Sequence, residues 1–461
     1  MKKIELDVAI IGGGTAGMTT MRGALKHTQK VAIIEGSQFG TTCARIGCMP
    51  SKLLIAAAEA AHQVKECQKF GIYIKDHPQI NGKEVMQRVQ SERDRFVGFV
   101  LDTIDQYESD KIIRGFARFK DSNTLIVDDR LEIHSKAIVI ATGSTPVIPA
   151  QFRDLGDKIL TNENIFELED LPKSVAVVGT GIIALELGQA LKRLSVRVTI
   201  LARSGRIGTL SDPVVQECAA KILSEELNII VKTDISKISI KAGQIEIEFK
   251  GENTETRIES FENVLVAAGR VPNIKKLDLQ QTGLKLDQKG VPLYDPNTTQ
   301  CGDSHIFLAG DVSDYRQVLH EAADEGYLAG SNAALFPKIN SGKRRSALTV
   351  MFSDPQIALV GQKFKELKSD RFAIGEVSFE NQGRSRVMLI NKGILRVYAE
   401  KESGLFLGAE MIGPVAEHLG HLLSWAHQQQ LTIPEMLEMP FYHPTIEEGL
   451  RTALRDVKRK I

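Results

Sequence analysis

The residues best equipped for chemistry are two cysteines with four residues between them, Cys43 and Cys48. A loop of that length can close and reopen a small disulfide, and the thiolate is the form that attacks. Met49 and Pro50 follow at once and suit the first turn of a helix, which would put Cys48 at a helix N-terminus, where a thiolate is stabilised. Taken alone, the pair reads equally as two buried free thiols or half of a metal site. No second Cys or His pair stands at metal-ligand spacing, so no metal is expected. A second group lies far along the chain in HPTIEE, where Pro444 predicts a helix start directly after His443. Glu448, about one turn inside that helix, could return to orient the imidazole.

Such groups need a scaffold, and the sequence shows one in duplicate. An apolar run entering Gly12, Gly14 and Gly17 recurs as a run entering Gly179, Gly181 and Ala184, 167 residues later. In each copy a helical pattern and a second apolar strand follow, ending at Glu35 and at Ala202, both 23 residues after the first glycine. Glycines placed between strand and helix let backbone amides reach a pyrophosphate. Two dinucleotide sites are therefore expected. Glu35 stands where a carboxylate accepts from ribose hydroxyls, so the first site suits FAD or NAD. In the second, Ala202 is followed by Arg203 and Arg206, whose guanidiniums suit the 2′-phosphate of NADPH. Apolar strands also run into ATGS, with Thr142 and Gly143, and AAGR, with Gly269. A third, IFLAGD, carries Asp311, which can take a cofactor hydroxyl at a strand's carboxyl end.

The rest of the composition narrows the field. Fifty-eight basic and 58 acidic residues leave no net charge, which argues against nucleic acid or an anionic membrane as partner. No apolar run reaches the length of a membrane span, and MKKIELDVAIIGGG reads as a strand entering a turn rather than a signal peptide. Five cysteines in 461 residues are no disulfide scaffold, so the cytoplasm is the expected compartment. Helical patterns cover 51–69 and 84–107, and after 343 the pattern changes to an α+β unit. The expected fold is α/β, with two Rossmann-like dinucleotide-binding domains and a C-terminal α+β dimerisation domain. The expected boundaries are 1–149 and 267–342 for the FAD-binding domain, 150–266 for the NAD(P)-binding domain and 343–461 for dimerisation.

Over essentially its whole length the chain resembles the FAD-dependent pyridine nucleotide–disulfide oxidoreductases, in particular those like dihydrolipoamide dehydrogenase. The motifs that carry this are GGGTAG, TTCARIGCMPSK, ATGS, GTGIIALE, AAGRVPN, LAGD, FSDPQIALVG and HPTIEE. The resemblance implies that Cys48 contacts the flavin while Cys43 exchanges with a small disulfide or dithiol substrate. It places Lys52 beside the reactive flavin nitrogen with Glu186 as its partner, and Thr42 and Ala117 among the FAD contacts. It also implies a homodimer in which His443 and Glu448 serve the other subunit's site. Cys67, Cys218 and Cys301 are expected to be structural. Three features depart from the family pattern: Thr41 in place of a glycine, Arg45 inside the dithiol loop, and the Ala202–Arg203 pairing, which is closer to glutathione reductases. PSK after the dithiol matches the lipoamide enzymes instead. Mercuric reductases and large thioredoxin reductases are set aside, because they carry a second redox pair near the C-terminus and the last cysteine here is Cys301.

Overall fold

The computed structural model describes residues 1–461 apart from 76–77, 253 and 369. Its first sheet has seven strands in the order 112–114, 31–35, 2–11, 131–140, 124–127 and 117–119, with 306–308 joining beside 131–140. The strand Leu131–Ile140 is shared. Its first half pairs antiparallel with Thr124–Val127, and its last three residues pair parallel with Ile306–Leu308. The chain thus leaves this sheet, builds a second one, and returns.

The second sheet is wholly parallel, in the order 228–230, 197–201, 174–178, 263–266 and 159–160. Its central strands are apolar on both faces, since the helix Ile182–Arg193 packs on one side and the antiparallel strands 244–250 and 257–261 on the other. A third sheet of five antiparallel strands, ordered 348–351, 356–361, 406–413, 394–400 and 372–378, forms the C-terminal unit with helices Ala416–Gln428 and Glu447–Lys458 against it.

The duplication is reproduced down to single hydrogen bonds. The Gly12 N–H donates to the Ile34 carbonyl and the Gly179 N–H to the Leu201 carbonyl, both at 2.9 Å. Both glycines sit at positive φ, +110° and +119°, and a Cβ on either would lie within 2.5 Å of a carbonyl, of Ala141 or of Ala267. Only glycine fits there. At the third position the copies diverge. A Cβ on Gly17 would be 1.8 Å from the Gly12 carbonyl, whereas the second copy seats Ala184 fully buried.

Helix limits differ from expectation by a few residues. The dithiol helix runs Cys48–Glu66 because Gly47 breaks the preceding turn, and residues 67–70 tighten to a 3-10 turn that ends at Gly71. The next helix is Gly82–Asp105, capped by the Asn81 side chain on the Glu84 N–H. The last helix starts at Glu447 and not directly after Pro444, so Glu448 is its second residue.

Candidate active site

A cavity of about 1490 Å³ runs between the first two sheets and the C-terminal unit. It exceeds the roughly 300–1,000 Å³ of a pocket for one small molecule. Gly14, Thr42, Cys43, Cys48, Lys52, Gly143, Gly179, Gly181, Glu186, Arg203, Arg206, Gly269 and Asp311 all line it, so the structure gathers most of the residues singled out above. Gly12, Gly17 and Ala184 shape the glycine turns behind its wall.

The helices Thr15–Ala24 and Ile182–Arg193 both point their N-termini into this space. Neither is capped by a side chain, since Gly14 and Gly181 hold the cap positions. Their first-turn amides are left for an anion. A Cβ added at Gly14, Gly143, Gly181 or Gly269 would meet nothing within 4 Å. Beside the first helix the buried Thr142 hydroxyl has no partner within the described residues. Uncapped amides, an open glycine rim and an orphaned hydroxyl are a fit for the phosphates and sugar of a dinucleotide. Glu35 lies beside the first glycine turn, its carboxylate accepting from the Gly13 N–H at 2.7 Å and from the Ser37 N–H and hydroxyl at 2.7 and 2.8 Å. Ala117 is on the strand two residues past Gly115, whose N–H donates to the Glu35 carbonyl.

Cys43 and Cys48 are both free cysteines. The Cys43 thiol donates to the Cys48 sulfur, which with the Lys52 charge brings the Cys48 thiol down to about 7 against the pull of burial. The same hydrogen bond, together with burial, pushes Cys43 well above the ordinary thiol range. One turn along the helix, Lys52 Nζ is 2.8 Å from Glu186 Oε2 and 4.6 Å from the centre of the Phe352 ring. The other Glu186 oxygen accepts from the Phe352 N–H at 2.8 Å. A single buried carboxylate thereby ties the dithiol helix to the second glycine-rich helix and to the C-terminal unit.

Sequence reasoning missed a polar chain on the facing wall. Arg270 donates to the Ser144 hydroxyl at 2.8 Å, the Ser144 carbonyl at 2.6 Å and the Asn162 side chain at 3.0 Å. Asn162 in turn donates to the Ile46 carbonyl, inside the dithiol loop, at 3.0 Å. The Ser144 hydroxyl reaches Asp311 at 3.3 Å. Burial raises Asp311 above the usual carboxylate range while Arg270 opposes it. The signal was present in AAGR, whose last residue is this arginine, but nothing in sequence pairs it with positions more than 100 residues away.

Two departures from the family pattern have physical accounts. Thr41 adopts φ +57°, ψ +152°, a region that favours glycine, and its hydroxyl accepts from the Ala44 N–H at 3.2 Å to cap the short turn carrying Cys43. Arg45 turns away from the dithiol: its Nε and Nη2 both donate to the Phe39 carbonyl, at 3.1 and 2.6 Å. In the second site, Arg203 and Arg206 are exposed and make no ion pair among the described residues. Their loop is pinned to the glycine turn, with the Thr180 hydroxyl donating to the Arg206 carbonyl at 2.6 Å and the Gly208 N–H to the Thr180 carbonyl at 2.7 Å.

His443 and Glu448 are not brought to the dithiol within one chain. Their hydrogen bond is made, Nδ1 to Oε2 at 2.9 Å, but the imidazole is 81% exposed on the outer face of the C-terminal unit.

Comparison with known proteins agrees with this architecture. The model of the pyridine nucleotide-disulphide oxidoreductase family matches residues 6–326, and that of its dimerisation domain matches residues 347–454. The chain is 30% identical to the mercuric reductase of Shigella flexneri, over 99% of its own length and 81% of that protein. It is 29% identical to the dihydrolipoyl dehydrogenase of Geobacillus stearothermophilus, over 96% and 94%. Mercuric reductases, set aside on their second cysteine pair, thus stand among the relatives. In fold it matches the HOCl-induced flavoprotein disulfide reductase RclA of Escherichia coli, with a TM-score of 0.82 and 22% identity, over 98% and 99% of the two chains. It also matches LpdA of Mycobacterium tuberculosis, with a TM-score of 0.83 and 20% identity over the full length of both. With its paired glycine turns, its cysteine pair and its C-terminal unit, the chain belongs to the pyridine nucleotide-disulphide oxidoreductase family.

Proposed function

We propose that this protein is a dithiol–disulfide oxidoreductase of the dihydrolipoamide dehydrogenase type that couples NAD(P)H to a small disulfide through Cys43 and Cys48. The contact between an acidified Cys48 and a Cys43 that keeps its proton, at one cavity with two uncapped helix N-termini, carries this reading. Gly12, Gly14, Gly17, Glu35, Thr42, Ala117, Thr142, Gly143 and Asp311 would hold FAD, with Lys52 at its reactive end. Bound there, FAD supplies the transfer of two electrons between the nicotinamide and the cysteine pair.

The remaining steps belong to the chain. In the reduced pair Cys48 is the resident thiolate, held by the Cys43 proton and the Lys52 charge. Once Cys43 gives up that proton, its sulfur attacks the substrate disulfide, and one substrate thiol leaves with a proton from His443. Cys48 then attacks Cys43 in the mixed disulfide, releasing the second substrate thiol and closing the Cys43–Cys48 bond. Two thiols are oxidised and one disulfide is reduced, so the electrons balance. Reversed, the same steps oxidise a dihydrolipoyl dithiol.

His443 reaches a dithiol only from another copy, so the reading requires a homodimer with isologous contacts. Leu422, Trp425, Met439 and Tyr442 are exposed on the unit that bears His443 and would be covered by that copy. Arg203 and Arg206 favour NADPH, because two unpaired guanidiniums stand where a carboxylate would otherwise read the 2′-hydroxyl. A cytoplasmic site of action agrees with a dithiol that works reduced. No helix among the described residues is long and apolar enough to cross a membrane.

The test is steady-state turnover with NADH and NADPH against lipoamide, glutathione disulfide and Hg(II). Lipoamide turnover that prefers NADPH, lost in Cys43→Ser, and a preference reversed in Arg203→Ala/Arg206→Ala, supports the reading. Full disulfide turnover in Cys43→Ser overturns it, and turnover confined to Hg(II) overturns the substrate assignment.

A further inference from the structure

Glu448 accepts from three groups. Its Oε2 accepts from His443 Nδ1 at 2.9 Å and from the Thr445 N–H at 3.4 Å, while its Oε1 accepts from Arg451 Nη2 at 2.7 Å. Arg451 stands three residues further along the same helix, and its guanidinium lies over the Phe441 ring, 5.8 Å from the centroid. The imidazole, the carboxylate and the guanidinium form one hydrogen-bonded chain, with Glu448 17% exposed between the more open imidazole and guanidinium.

The segment packed on the helix start meets it through neutral groups, Phe379 against Gly449 and Gln382, which donates to the Thr445 carbonyl at 2.7 Å. The same segment carries Glu380, Arg384 and Arg386, and Arg386 donates to the Asn381 side chain at 3.1 Å. On the strand Phe372–Ser378, Glu376 faces Arg396 of the neighbouring strand, and its N–H goes to Asp456. Glu400 accepts from Ser403, and Glu435 caps Thr432 on the adjacent helix, which also carries Glu438. Glu447 precedes Glu448 on the helix itself. None of these makes an ion pair with His443 or Glu448 among the described residues.

We infer that Arg451 is a positioning residue for proton exchange, which fixes the Glu448 carboxylate and offsets its charge, so that His443 gives and takes its proton at a lower pH than a two-member pair would. The inference rests on the role proposed for His443. A carboxylate beside an imidazole favours the imidazolium; a guanidinium on the other oxygen weakens that pull and repels the imidazolium directly. Burial works against the Glu448 charge, but the hydrogen bonds from His443 and Thr445 and the Arg451 cation keep the carboxyl below its usual range. The carboxylate therefore stays ionised throughout the range in which an imidazole titrates.

The decisive experiment compares Arg451→Met, Arg451→Gln and Arg451→Lys in the full-length FAD-loaded protein. The pH titration of the His443 Cε1–H resonance, assigned by its loss in His443→Gln, is followed beside the pH profile of kcat/KM with lipoamide as probe. Met keeps the stem on Phe441 without the charge, and Gln provides a second neutral variant should one fail to fold. The midpoint and the profile limb are both expected to rise by about 0.5–1 pH unit in the neutral variants and to stay near wild type in Arg451→Lys. An unmoved midpoint in a folded neutral variant overturns the inference, since lost packing alone would not shift a titration. A midpoint that rises while the profile does not overturns the role proposed for His443 and leaves the coupling of the three side chains standing.

Discussion

Cys43 and Cys48 hold one proton between them, and that arrangement separates two chemically identical groups. The donor from Cys43 makes Cys48 the acid of the pair, helped by Lys52, while burial and the same bond keep Cys43 protonated. The part of the thiolate absorbance at 240 nm that is lost in Cys48→Ser is thus expected to rise with a midpoint near 7. Removing the donor in Cys43→Ala should move that midpoint up toward the ordinary thiol value. A wild-type midpoint already at that ordinary value, about 8.5, would contradict the assignment. Glu186 makes a second case. Glu186→Ala leaves the Lys52 ammonium and the Phe352 N–H without their acceptor, a loss of about 1–3 kcal/mol for a buried group left unsatisfied. The urea midpoint should fall accordingly, and an unchanged midpoint would mean that water replaces the carboxylate.

Helix contacts decide how closely the scaffold can approach the site. The helices Thr15–Ala24 and Leu319–Leu335 touch along a row of glycines: a Cβ on Gly23 would lie 2.3 Å from the Tyr327 carbonyl, on Gly326 2.2 Å from that of Ala16, and on Gly330 2.0 Å from that of Thr20. Backbone faces backbone there, so no side chain can move aside. Gly330→Ala is expected to destabilise by about 1–3 kcal/mol through overpacking, read as a lower denaturation midpoint. Because the first of these helices presents its N-terminus to the cavity, FAD retention should fall as well. Wild-type stability and retention in this variant would show that the helices separate freely.

At the scale of the molecule, a buried carboxylate joins the second nucleotide-binding unit to the C-terminal one. Glu410, fully buried, accepts from the Ser211, Asp212 and Phe364 N–H groups at 2.7, 3.0 and 3.0 Å. Asp212 receives the Tyr398 hydroxyl at 2.9 Å and pairs with Arg396. These contacts hold the segment after Arg203 and Arg206 against the C-terminal unit, which also bears His443. Glu410→Ala leaves three backbone donors unpaired and should cost about 3 kcal/mol or more. It should also uncouple the two units, visible as two unfolding steps by calorimetry where the wild type shows fewer. A single unshifted transition would show that the apolar contacts alone join them.

Much of this was legible in the sequence, and for local reasons. The repeated glycines are demanded by turns in which a Cβ would strike the chain's own carbonyls, so their spacing reports the strand-turn-helix units directly. Cys43, Cys48 and Lys52 share one loop and the first turns of one helix, so their chemistry could be read from neighbours. The hydrogen bond between His443 and Glu448 spans only five residues. What only the tertiary structure decided involves partners far apart in the chain. The line from Asp311 through Ser144, Arg270 and Asn162 to the dithiol loop crosses from residue 311 to residue 46, and no periodicity encodes it. For Arg45 the partner is near in sequence, yet only the fold shows that its guanidinium meets the Phe39 carbonyl, six residues back. The second hydrogen bond of Glu186 reaches the Phe352 N–H, 166 residues away, and was invisible from sequence. A residue's type and near neighbours define what it can do, whereas the identity of its distant partner depends on how the sheets and helices finally pack.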